Sequence, residues 1–156
     1  MGFFHLERNH LAARPFFPHR SQGEPAVERH DGPQLDDVPR TILVVEDEPL
    51  VRLVIAEALR DQRFRVVEAA SAEEAVLALA SGLAVDLVFT DVRMPGALDG
   101  LAFAGRLKRE RPDLPVLITS GHLDRLESGE TSAFISKPYV LSDAVARISA
   151  MLDLEK

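Results

Sequence analysis

Cysteine and tryptophan are missing from all 156 residues, and basic residues are outnumbered, with 18 Lys+Arg against 25 Asp+Glu and a net charge of -7. Without cysteine, disulfide scaffolds, cysteine-ligated zinc, iron–sulfur clusters and cysteine nucleophiles are all excluded, and a reducing cytoplasm is the expected compartment. The shortage of positive charge leaves no footprint for a nucleic-acid backbone or an anionic membrane, because both attract clustered Lys and Arg. No direct contact with either is expected. No apolar run approaches the ~20 residues of a membrane helix, and the N-terminus lacks the basic-then-apolar order of a signal peptide.

What is present is unevenly spread. Residues 1–40 hold five of the ten prolines, four of the five histidines and four of the eight phenylalanines. No helical or strand period survives there, and the Pro/Gly/charge-rich stretch 21–40 cannot bury enough apolar surface to offset its ordering entropy. Residues 1–40 therefore read as a disordered or loosely ordered extension. The pairs Phe3-Phe4 and Phe16-Phe17 are its only candidates for docking on the domain or a partner. Its histidines lack the i, i+4 spacing and accompanying carboxylates of a metal site.

Residues 41–156 alternate short apolar runs with amphipathic stretches, the pattern of a parallel sheet covered on both faces. Strands are expected at Thr41–Val45, Phe64–Val67, Leu87–Thr90, Val116–Thr119 and Ala133–Ile135. Between them lie a helix from about Pro49 to Arg60 with Val51, Val54, Ile55, Ala58 and Leu59 on its apolar side, and a helix opened by the capping box Ser71-Ala-Glu-Glu74. A third helix is capped by Asp99, and a last one by Ser142. The segment between Ser120 and Phe134 has room for about two helical turns, so a fourth helix, the one in that position, should be short or missing.

Ligands of such α/β sheets bind beyond the carboxyl ends of the strands. There stand Glu46, Asp47 and Glu48 after the first strand, Asp91 after the third, Ser120-Gly121 after the fourth and Lys137-Pro138 after the fifth. Converging carboxylates repel unless a hard cation or an ammonium shares the site, and oxygen ligands of this kind suit magnesium. The chemistry implied is phosphoryl transfer onto a carboxylate. Each residue taken singly has a plainer reading: an acidic helix start favoured by the dipole for Glu46 and Asp47, a turn-initiating Asp91, a solvated loop lysine for Lys137. Their joint occurrence at the ends of strands one, three, four and five is what those readings leave unexplained.

The motifs Ile42-Leu-Val-Val-Glu-Asp-Glu-Pro49, Asp91-Val-Arg-Met-Pro95 with Asp99-Gly100, Pro115-Val-Leu-Ile-Thr-Ser-Gly121 and Lys137-Pro138 stand in that order. With them, the segment 41–156 resembles the receiver domain of bacterial two-component response regulators, of the stand-alone type. The resemblance implies a doubly wound, flavodoxin-like fold with five parallel strands in the order 2-1-3-4-5 and helices on both faces. It implies Asp91 as phosphoacceptor, Glu46 and Asp47 as the acidic pair with Asp47 binding Mg2+ directly, and the backbone carbonyl of Arg93 as a further ligand. It also implies Ser120 as switch hydroxyl, Lys137 as the cation pairing with carboxylate or phosphoryl oxygen, and Phe134 as aromatic switch. A histidine kinase or a histidine phosphotransfer protein would supply the phosphoryl group, and an unidentified downstream protein would read it. The chain would be a monomer or weak dimer, with no enzymology beyond its own phosphorylation and slow hydrolysis.

Three departures from the family pattern stand out. Gly96-Ala97-Leu98 makes the stretch between Met94-Pro95 and Asp99-Gly100 one residue longer than the common spacing. The segment 122–132 is abbreviated. Leu154-Glu-Lys156 follows the last helix directly, so no DNA-binding module is expected. Two other function classes would leave different marks in the sequence. A phosphate-ester hydrolase would carry a carboxylate as general acid two residues after its nucleophile, where Arg93 stands, and a degenerate receiver serving as a protein-binding scaffold would have lost the acidic pair, the acceptor or the lysine.

Overall fold

A computed structural model describes residues 38–121 and 133–153, all within the unit Leu35–Lys156. Five parallel strands form one sheet in the order β2-β1-β3-β4-β5. They are β1 (Thr41–Val45), β2 (Arg65–Ala69), β3 (Leu87–Asp91), β4 (Val116–Ser120) and β5 (Ala133–Ser136). Among the described residues there are four helices: α1 (Pro49–Asp61), α2 (Ala72–Ala80), α3 (Gly100–Glu110) and α4 (Leu141–Asp153). The extension up to residue 37 and the abbreviated helix expected within 122–132 lie outside the described residues.

The central strands β1, β3 and β4 are buried along their whole length, whereas the edge strands β2 and β5 are mostly half-exposed. Alternation divides each central strand between two cores. Leu43, Val45, Val88, Val116 and Ile118 pack with Ala72, Ala75 and Leu79 of α2 and Phe103, Ala104 and Leu107 of α3. Ile42, Val44, Leu87, Phe89 and Leu117 pack with Ile55 and Leu59 of α1 and Ala144, Ile148 and Leu152 of α4. The chain is thus doubly wound, with α1 and α4 on one face and α2 and α3 on the other. Phe89 and Phe103 are fully buried in the two cores, each contributing about 1.5–3 kcal/mol by leaving water.

Several local expectations shift. The second strand begins at Arg65 rather than Phe64. The last helix begins at Leu141, so Ser142 is already inside its first turn and does not cap it; Asp143 and Ala144 donate instead to the Val140 carbonyl. On α1 the expected apolar stripe is only half right. Ile55 and Leu59 are buried together with Ala56, but Val51 and Val54 are 37% and 54% exposed. The first turns of α1 stand just past the end of β1, where the sheet no longer covers them.

Two caps are formed as read. Ser71 Oγ accepts from the Glu74 amide at 3.1 Å while the Glu74 carboxylate accepts from Ala70 N–H, and Asp99 Oδ1 accepts from Ala102 N–H at 2.8 Å. Arg40, just before β1, pairs with Asp86 at 3.0 Å, and Asp86 also accepts from Thr41 N–H. That clamp sets where the sheet begins.

Candidate phosphoacceptor site

Parallel pairing puts the carboxyl ends of β1, β3, β4 and β5 on one rim, with Val45 beside Thr90 and Asp91 beside Thr119. Ile42 and Val44 point to the face of α1 and α4, so Glu46, two residues on, continues along that side. It is 1% exposed, and Asp91 is 7% exposed. One carboxylate oxygen from each of Glu46, Asp47 and Asp91 lies within 4.8 Å of the others. Lys137 Nζ stands 3.0 Å from Asp91 Oδ2 and 3.1 Å from Glu46 Oε2.

Burial pushes the Glu46 carboxyl above the usual carboxylate range, and the nearby Asp91 adds to this, while the hydrogen bond from Lys137 opposes it. For Lys137 burial works downward, but its bonds to Asp91 and Glu46 outweigh it and the ammonium is held above its ordinary pKa. One ammonium among three carboxylates leaves negative charge uncompensated. Hard oxygen donors at this separation fit a small divalent cation such as Mg2+.

The supports of this cluster are specific. Lys137 N–H donates to the Ser120 carbonyl at 2.7 Å, tying the lysine to the end of β4, and the Lys137–Pro138 peptide is cis. Arg52, on the first turn of α1, donates to the Glu46 carbonyl at 2.6 Å and approaches Glu68 at 3.6 Å. Gly100 packs so closely on the Asp91 carbonyl that a Cβ would collide with it, and its N–H donates to the Val92 carbonyl at 3.0 Å. The loop between Asp91 and α3 is therefore folded back on the strand end.

Of the residues singled out from sequence, Glu46, Asp47, Asp91 and Lys137 come together in one cluster. Arg93 stands on the loop after Asp91 with its side chain exposed. Ser120 ends β4, is 3% exposed and pairs with Ser136 of β5; its neighbour Thr119 is the residue in register with Asp91. The Thr119 hydroxyl is fully buried and has no hydrogen-bond partner among the described residues. Phe134 is half-buried in β5 and packs against the core beneath α2 and α3. Two contributors went unread in the sequence. Arg52 acts on a backbone carbonyl, and the Glu73 Oε1 atom accepts from Ala97 and Leu98 N–H at 2.9 and 3.1 Å. The extra residue in the loop was the one signal that something must hold it.

The model of the response regulator receiver domain matches residues 42–149. Over 116 residues, 71% of this chain, the sequence is 35% identical to the transcriptional regulatory protein PdtaR of Mycobacterium tuberculosis, of which it covers 56%. The chain thus spans about half the length of that relative. A response regulator receiver protein from Sinorhizobium medicae superposes with a TM-score of 0.70 at 28% identity, covering 76% of this chain and 98% of that one. The response regulator TrrA from Thermotoga maritima, solved in complex with Mg(2+)-BeF, gives a TM-score of 0.65 at 26% identity, covering 72% and 98%. The strand order, the carboxylate cluster at the strand ends and these matches lead to one assignment: the chain belongs to the response regulator receiver domain family.

Proposed function

We propose that the domain is a phosphorelay switch in which Asp91 accepts a phosphoryl group from the phosphohistidine of a histidine kinase or a histidine phosphotransfer protein. The observation that carries this reading is the meeting of Glu46, Asp47 and Asp91 within 4.8 Å, with Lys137 bridging two of them. Asp91 is the nucleophile: one of its oxygens bonds to phosphorus as the phosphorus–nitrogen bond breaks, and the imidazole leaves with the electron pair. Glu46, Asp47, Asp91 and the Arg93 carbonyl would hold Mg2+, which when bound offsets the charge of phosphoryl and carboxylate oxygens. Lys137, 3.0 Å from Asp91 Oδ2, orients that carboxylate, then pairs with a phosphoryl oxygen. The Ser120 hydroxyl donates to another, and Phe134, three residues before Lys137, changes its packing in response. That change alters which downstream protein the domain binds.

The donor's approach is supported by an apolar groove beside the cluster. Leu50, Val51 and Val54 of α1 line one side and Pro138, Tyr139 and Leu141 the other, and Lys137 belongs to both groove and cluster. Such an exposed apolar patch on a receiver rim suits a protein partner. Among the described residues no helix is long and apolar enough to cross a membrane. Incubation with acetyl phosphate and Mg2+ tests the reading. Labelling that stops at one phosphoryl group per chain and decays slowly supports it; repeated turnover would reassign the site to a phosphatase, and no labelling to a scaffold.

A further inference from the structure

The loop between β3 and α3 carries one residue more than the common receiver spacing, and it leads directly out of Asp91. A longer connection has more conformations to lose, so something must hold it if Arg93 is to stay in place. Among the described residues the hold comes from α2. The Glu73 Oε1 atom accepts two successive amides, Ala97 at 2.9 Å and Leu98 at 3.1 Å. Gly96 turns the chain with φ +135°, and a Cβ there would lie 2.8 Å from the Glu73 carboxylate, so the glycine both permits the turn and leaves room for the acid. Those bonds favour the charged form: hydrogen bonds from its own amide and from Leu98 hold Glu73 below the usual carboxylate range. At the other end of the loop, Val92 N–H bonds to the Thr119 carbonyl and Gly100 N–H to the Val92 carbonyl. Arg93 to Gly96 are therefore held at both ends, at one of them by Glu73, with Met94 packed into the core between them.

We infer that Glu73 is a positioning residue for the phosphoacceptor site, compensating the lengthened loop by clamping its Ala97–Leu98 turn so that the Arg93 carbonyl stays available to a bound cation. This rests on the proposed reading of the Asp91 site. Glu73 touches no reacting atom; it acts through the loop. A charged acceptor gripping two amides gives stronger bonds than a neutral one, so the clamp is expected to grade with the acceptor: full with Glu, partial with Gln, absent with Ala.

The test compares Glu73→Ala, Glu73→Gln and Ile148→Val in the full chain. Ile148 is buried in α4 on the opposite face of the sheet, so Ile148→Val lowers stability without touching α2 or the loop and leaves the cation site as it was. Mg2+ titration followed by calorimetry should show the dissociation constant raised about tenfold in Glu73→Ala, less in Glu73→Gln, and unchanged in Ile148→Val. Amide exchange should rise across 93–98 in Glu73→Ala and not in Ile148→Val. A Glu73→Ala chain that binds Mg2+ like the wild type, or an Ile148→Val chain weakened as much, overturns the inference while the phosphoacceptor reading stands. A wild-type chain that neither binds Mg2+ nor becomes labelled overturns the reading, and the inference with it.

Discussion

Glu46 and Asp47 are neighbours in sequence but not equals in the site. Glu46 is almost fully buried and bonded to Lys137, whereas Asp47 is half-exposed and bonded to neither Lys137 nor the loop in the structure. Removing Asp47 takes away an oxygen donor and nothing else. Removing Glu46 takes away a donor but also frees the ammonium to pair wholly with Asp91. Asp47→Ala is accordingly expected to raise the Mg2+ dissociation constant by about tenfold or more and Glu46→Ala by less, both read by calorimetric titration; equal shifts would contradict the division. Thr119 gives a second residue-scale outcome. Its hydroxyl is buried without a hydrogen-bond partner among the described residues, and such a group forfeits its hydration for little in return. Thr119→Val, nearly the same shape, should stabilise the domain by about 1 kcal/mol in urea unfolding and leave acetyl phosphate labelling intact. A loss of stability or labelling would show that the hydroxyl serves the site.

At the scale of elements, the turn from β3 into α3 is where the closest packing among the described glycines is found. Gly100 lies against the Asp91 carbonyl and the Val92 Cα, backbone atoms that cannot yield as a flexible side chain would. Gly100→Ala should therefore displace the phosphoacceptor strand end, costing about 1–3 kcal/mol as overpacking and slowing labelling far more than stability alone explains; a variant with wild-type melting and labelling would refute the close packing. The central strands were legible in the sequence because each is a wholly buried apolar run, and the cluster because its members fall directly after those runs. Edges were less legible. Strand β2 is half-exposed, so its apolar run does not coincide with its hydrogen-bonded span, and Val51 and Val54 obey helical periodicity while lying beyond the sheet that would cover them. Glu73 and Arg52 were hidden for another reason: both grip backbone groups, which carry no residue signature, and Glu73 lies 24 residues from Ala97.

For the molecule as a whole, the two faces do different work. The face of α2 and α3 anchors the loop that follows Asp91, through Glu73 and the packing of Met94. The face of α1 and α4 presents the apolar rim next to the cluster. Val54→Asp, an exposed change on α1, should leave acetyl phosphate labelling within about twofold of wild type, as surface substitutions usually spare the fold, yet weaken transfer from a phosphorylated donor protein. Equal loss with both donors would place the defect in the chemistry instead. Everything depends on Asp91 being the acceptor. The most direct measurement is intact-protein mass spectrometry after incubation with acetyl phosphate and Mg2+, comparing wild type with Asp91→Asn, which keeps the shape and removes the nucleophilic carboxylate. One phosphoryl group on the wild type and none on the variant is the expected result; equal labelling of both would contradict the assignment.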